Sequence, residues 1–132
     1  MKISPAQLRQ QLWRLYQALN PTLRAMTPRQ PMTPGSFYLM RRKCGKPSCR
    51  CLRGHLHPAW VLTRSEAGRH KLYSVPPDQR PLLRQWTTAW RRYQHARARF
   101  GKQTAALLAL ADQLARLQTV AWPKNQKTKR PS

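Results

Sequence analysis

Cys44, Cys49, Cys51, His55 and His57 fall in one short run, CGKPSCRCLRGHLHP. Three thiols and two imidazoles this close together form the donor set of a structural zinc site, which takes four ligands and accepts Cys₃His. Gly45 and Pro47 let the chain turn back between the first two thiols, and Gly54 does the same before the histidines. Cys49 and Cys51 are two apart, so an extended strand would point them to opposite sides. Both can reach one ion only from a bent loop. Arg42, Lys43, Lys46, Arg50 and Arg53 flank the thiols, favour their deprotonation and leave a basic rim. The expected ligands are Cys44, Cys49, Cys51 and His57, which lies just before the strand that should close the knuckle; His55 is the alternative. Reduced cysteines packing the loop and a redox-active thiol are the competing readings. A catalytic zinc would need an open position and a general base, and no carboxylate is near in sequence before Glu66. His70 and His95 stand alone in basic stretches and read as solvated.

The elements that must hold this loop can be read from its flanks. Ser36 to Met40 is a strand candidate before it, Ala59 to Thr63 one after it, and Arg69 to Val75 a third. The RSEAG segment supplies Gly68 for positive φ, so the last two strands should form a hairpin. Pro76-Pro77 closes the third strand. Upstream, Ser4 is a candidate N-cap with Pro5 at the first helical position. Leu8, Leu12, Leu15 and Leu19 recur on one helical face, and Asn20-Pro21 should end that helix. Residues 27–35 carry three prolines and a glycine and read as a linker. Downstream, Asp78 should cap a long helix. Its 3–4 spaced row includes Leu83, Trp86, Trp90, Tyr93, Phe100, Leu107, Leu110 or Ala111, Leu114, Leu117 and Ala121, with Gly101 as a place for a kink or break. The leucine rows read as core packing. The part of the long helix that outruns the first helix needs another partner, and a coiled-coil homodimer is one solution.

The predicted fold class is therefore α+β: an N-terminal helix, a small three-stranded zinc-knuckle and β-hairpin module, and a long C-terminal helix. The divisions are residues 1–26, linker 27–35, β module 36–77, long helix 78–122 and a disordered basic tail 123–132.

The chain has 132 residues, 26 Lys and Arg against 3 Asp and Glu, and a formal charge of +23. Such a chain repels itself, and a polyanionic partner is the simplest remedy. Glu66, Asp78 and Asp112 are well separated, which makes two-carboxylate or two-metal catalysis improbable, so an enzyme is not expected. There is no apolar run of the roughly 18 residues a membrane span requires. The start, MKISPAQLRQQLWRLYQ, lacks an apolar signal core. A reducing, cytoplasmic setting follows, nucleoid-associated if the partner is DNA, with no membrane contact.

Eighteen of the basic residues are Arg, the side chain suited to bidentate phosphate and guanine contacts. One concentration is Arg41, Arg42, Lys43, Lys46, Arg50 and Arg53 around the cysteines, extended by Arg64, Arg69 and Lys71 along the hairpin. A second is Arg84, Arg91, Arg92 and Arg99, with Arg97 and Lys102, along the helix. Phe37, Tyr38, Trp60 and Tyr73 either stack bases of a single strand or form the core of the small sheet.

The run from Ser36 to Val75 resembles a family of small, largely uncharacterised bacterial proteins often encoded beside transposase genes. The matching pieces are Cys44-Gly45-Lys46-Pro47, Cys49 and Cys51, His57-Pro58-Ala59-Trp60, and Tyr73-Ser74-Val75-Pro76. The resemblance covers about residues 36–95, and CGKPxCxC is its specific part. It implies association with mobile elements and an accessory role on nucleic acid, favours His57 over His55, and offers no catalytic residues. The expected protein is a zinc-stabilised, DNA-binding accessory or regulatory factor. The rival readings are an RNA-binding subunit of a ribonucleoprotein and an adaptor for a transposase or nuclease.

Overall fold

A computed structural model describes residues 2–123 of the chain. Two helices, three strands and two short 3-10 turns follow in the order α1 (Pro5–Ala25), β1 (Ser36–Arg42), a turn at Arg50–Arg53, β2 (His57–Glu66), β3 (Arg69–Ser74), a turn at Pro77–Gln79, and α2 (Arg80–Gln118). The class is α+β, as the residues imply. The expected tail falls almost wholly outside the described residues. Among the described residues no helix is long and apolar enough to cross a membrane.

Helix α1 begins with a reciprocal cap. The Gln7 N–H donates to Ser4 Oγ at 3.2 Å, and the Ser4 N–H donates to Gln7 Oε1 at 2.9 Å, which satisfies two otherwise orphaned donors. The helix does not stop at Asn20-Pro21; it runs through Pro21 to Ala25. Proline removes one intrahelical bond. Thr22, the next residue, is fully buried, so the continuation carries packed surface that offsets the loss.

Helix α2 passes unbroken through Gly101. Asp78 does not cap it. It lies inside the preceding 3-10 turn, whose N-cap is Pro76. The helix ends at Gln118, short of the expected 122. The Thr119 N–H and hydroxyl donate back to Arg116 O and Ala115 O, and Val120 and Trp122 beyond it are exposed. A helix is held mostly by the face it buries, and those residues bury none.

The chain divides into two compact units. One comprises the chain up to Asn20 together with the part from Phe100 onward, and the other runs from Pro21 to Arg99. In the first, Leu8 is fully buried, Leu12, Leu15, Leu19, Leu107, Leu110 and Leu114 are half-buried, and Gln103 Nε2 donates to Ala18 O. In the second, the strands form an antiparallel sheet in the order β1-β2-β3. The register runs from Ser36↔Thr63 to Arg42↔His57 in the first pair and from Val61↔Ser74 to Glu66↔Arg69 in the second. The central strand holds most of the sheet's burial, at Val61, Leu62 and Thr63. β2 and β3 are joined by Ala67-Gly68, both at positive φ (50° and 79°). This is a two-residue type I′ turn, whose twist matches that of its strands. Gly68 was expected there; the left-handed alanine was not.

Candidate metal centre and its basic surround

The ladder itself sets the ends of the cysteine loop. Arg42 and His57 are the outermost pair of β1 and β2, so residues 43–56 leave and re-enter the sheet side by side. Cys44 lies just past β1, and His57 opens β2. Between them the chain makes the bend that the Cys-x-Cys spacing requires. Cys49 is extended (φ −83°, ψ 145°), and the next four residues wind into a 3-10 turn. Gly54 ends that turn at φ 98°, its N–H directed at the carbonyls of Arg50 and Cys51. A side chain would disfavour that left-handed geometry.

This path brings four ligand atoms together. Cys44, Cys49, Cys51 and His57 place theirs within 4.8 Å of one another. The Cys44 and Cys51 sulfurs are 3.6 Å apart, the Cys44 N–H lies 3.4 Å from Cys51 Sγ, and Cys49 Sγ is 2.8 Å from His57 Nε2. Sulfurs bound tetrahedrally to one zinc at about 2.3 Å would be roughly 3.8 Å apart, so the Cys44–Cys51 edge already has that length. The Cys49–His57 edge would have to open by somewhat under an ångström. Cys51 is fully buried, Cys49 partly, and Cys44 is exposed. All three are free thiols rather than disulfides. The group can hold a metal ion, and three thiols with one imidazole are a donor set of the closed, structural type of centre. His55 is exposed and outside the group.

The surrounding cations are open. Arg41, Arg42, Lys43, Lys46, Arg50 and Arg53 are all exposed, and none has an acidic partner among the described residues. Within the sheet, the register divides the basic residues between its two faces. Opposed residues share a face of an antiparallel sheet, and alternate residues change face. The register therefore groups Arg41, Arg64, Arg69 and Lys71 on one face with Phe37, Trp60, Leu62 and Tyr73. Arg42 and His57 lie on the other.

Arg64 also differs from the rest. Its Nε lies 2.5 Å from Glu66 Oε1, and its guanidinium sits 5.2 Å from the centroid of the Tyr73 ring. The Tyr73 hydroxyl donates to both Glu66 oxygens at 2.8 and 2.9 Å. These bonds, the tyrosine's first and then the arginine's, hold the Glu66 carboxyl below the usual carboxylate range. The same carboxylate holds the Arg64 guanidinium above its ordinary value. Arg64 is thus already engaged.

Two of the four aromatics proposed for base stacking are used inside the fold, and a third is held by an acidic partner at the surface. Phe37 and Trp60 stack on each other at 5.0 Å. The Arg84 guanidinium lies 5.9 and 5.4 Å from the centroids of their rings, and Arg80 reaches Trp60 at 6.0 Å. Tyr73 is hydrogen-bonded to Glu66, and both it and Tyr38 remain 40% exposed. On α2, Arg84, Arg91, Arg92 and Arg99 are all exposed, and Arg84 also lies against the sheet's aromatic rings. Arg80 is the residue missed from sequence; its place directly after Pro-Pro-Asp-Gln, at the start of a helix, was the available signal.

A family model described as a domain of unknown function (DUF6788) matches residues 5–85. No curated protein and no solved structure matches the chain. The matched span includes all four ligand candidates and the cations around them, and stops before Arg91.

Proposed function

The chain belongs to the DUF6788 family, and from its site we propose that it is a non-enzymatic, zinc-stabilised nucleic-acid-binding protein, acting on DNA as an accessory or regulatory factor of a mobile element. The observation that carries the reading is the pairing of a Cys₃His cluster with an exposed rim of five cations that have no acidic partner among the described residues. Zinc bound by Cys44, Cys49, Cys51 and His57 would fix the loop and supply no reaction. Arg42, Lys43, Lys46, Arg50 and Arg53 would then meet phosphates from a rigid base. Arg91, Arg92 and Arg99 form the second contact. The preference for DNA over RNA, and the link to a transposase or nuclease, come from the resemblance at CGKPxCxC. The exposed Trp13, Tyr16 and Leu108 support docking of a second copy or of that enzyme through the helical unit.

The test is a binding titration against duplex DNA and structured RNA across salt. Six to ten phosphate contacts would weaken binding by roughly 10³–10⁵-fold between 50 and 200 mM salt. Substituting Arg42, Lys46 and Arg50 with Gln should reduce that slope. A flat response overturns the reading, and tighter binding to RNA moves it to the ribonucleoprotein alternative.

A further inference from the structure

Beyond the phosphate contacts just proposed, a cleft of about 400 Å³ opens where the β1–β2 ladder ends, between Gly35, Ser65 and the α2 side chains Trp90 and Gln94. Its floor is an unpaired piece of strand edge. The Val75 N–H donates to Trp60 O at 2.9 Å, so the backbone groups of Trp60 point toward β3. Those groups alternate in direction along an antiparallel strand. The N–H and C=O of Leu62, Arg64 and Glu66 therefore also face β3, whereas those of Val61, Thr63 and Ser65 face β1.

β1 begins at Ser36, opposite Thr63. Continuing the register would set Pro34 opposite Ser65, and proline has no N–H to give. Among the described residues, no backbone hydrogen bond outside the ladders reaches Ser65. One residue thus presents a donor and an acceptor side by side to the cleft. Gln94 adds an amide with both capabilities. Trp90 forms an aromatic wall, backed by Tyr93 at 5.5 Å.

From this we infer that the cleft binds an unpaired nucleobase, stacked on Trp90, with its hydrogen-bonding edge read by the Ser65 backbone and the Gln94 amide. A planar heterocycle has the adjacent donor and acceptor that this edge complements, and aromatic stacking is indifferent to sequence. A peptide strand fits less well. Only Ser65 offers free groups before the turn at Ala67, and Gly35 passes so close to Thr63 O that a Cβ there would lie 2.6 Å from it. As a contact to nucleic acid the inference deepens the proposed function, but the pocket can be tested without it.

The first experiment adds adenosine 5′-monophosphate to the intact protein and follows backbone and side-chain amide resonances. The Ser65 N–H and the Gln94 amide should shift together and saturate. Trp90→Ala should abolish the shift and Trp90→Phe preserve it, with the β2–β3 amides reporting an intact fold. The second compares a perfectly paired duplex with one carrying a single unpaired adenine. The unpaired base should tighten binding by about tenfold, in line with the worth of one stacked base. Trp90→Ala and Gln94→Ala should erase that gain and leave the paired duplex unaffected. Equal binding of the two duplexes with no amide shift overturns the inference while leaving the phosphate reading in place. Amide shifts with no binding of either duplex support the pocket as a site for a free nucleotide and overturn the nucleic-acid reading instead.

Discussion

Two connections join the three strands, and they are closed by opposite means. Residues 43–56 link β1 to β2, and Ala67-Gly68 alone link β2 to β3. The short turn is held by backbone conformation, with two left-handed residues that fit the strand twist. The long loop has one short 3-10 turn and few backbone bonds of its own. What gathers it is side-chain chemistry: three sulfurs and an imidazole that converge above the last rung of a ladder. Closing a longer loop costs more chain entropy, although the cost grows slowly with length. A cross-link can fix a loop with so little regular structure, and a metal centre is one kind. On the proposed metal-bound reading, the basic rim rides on the connection that the ion would hold, so metal loss should disarm it while the sheet's other end stays formed.

The largest expected effect separates the two connections directly. Chelation, or Cys51→Ala, should destabilise the β1–β2 loop by more than about 3 kcal/mol, given how strongly structural zinc couples to folding. Hydrogen exchange should then accelerate across 43–57 and stay slow across 64–74. Equal acceleration of both would show that they are one cooperative unit. Next come the two left-handed glycines, Gly54 ending the 3-10 turn at φ 98° and Gly68 in the hairpin turn at φ 79°. Each replaced by Ala should cost about 1–2 kcal/mol for the left-handed conformation. Gly54→Ala should express that loss as weaker metal affinity, and Gly68→Ala as a lower melting temperature with the affinity unchanged. Ala67→Asn should go the other way. It creates the preferred Asn-Gly pair and relieves a left-handed alanine, for a gain of about 0.5 kcal/mol in chemical denaturation.

The smallest effect is a pH response of the hairpin end. The folded state holds Glu66 below its ordinary value, so its contribution to stability is complete above the unfolded carboxylate pKa of about 4.3. That contribution fades as pH falls through the lower, folded value. Glu66→Gln should remove that contribution, lowering stability slightly at neutral pH, leaving it little changed at acid pH where the carboxylate is protonated anyway, and so flattening the acid limb of a stability-versus-pH curve.

The cysteine spacing carried much of this centre in plain view. Cys49-Arg50-Cys51 can serve one ion only from a bent chain, Gly54 supplies the bend, and His57 opens the strand that holds it. The helical cap at Ser4 and the hairpin at Gly68 were equally legible, because each rests on residues adjacent in sequence. What could not be read depended on packing between distant segments. Pro21 looks like a stop until burial of Thr22 is known. Arg84 looks like part of a solvated stripe until Phe37 and Trp60 are found beneath it. Arg41 and Arg42 look like one patch until the register sets them on opposite faces. The unpaired edge at Ser65 needed the ladder's starting point, which no local pattern encodes.

The single ion pair found among the described residues, Arg64–Glu66, makes this chain's response to salt unusual. Added electrolyte mainly weakens attraction in a protein rich in opposite-charge pairs. Here it chiefly screens repulsion, so the free protein should melt at a higher temperature as salt rises. The nucleic-acid binding proposed above should loosen over the same range. A bound polyanion also stabilises the folded state by mass action. Given the proposed partner, the protein at low ionic strength would thus be least secure alone and most secure when occupied.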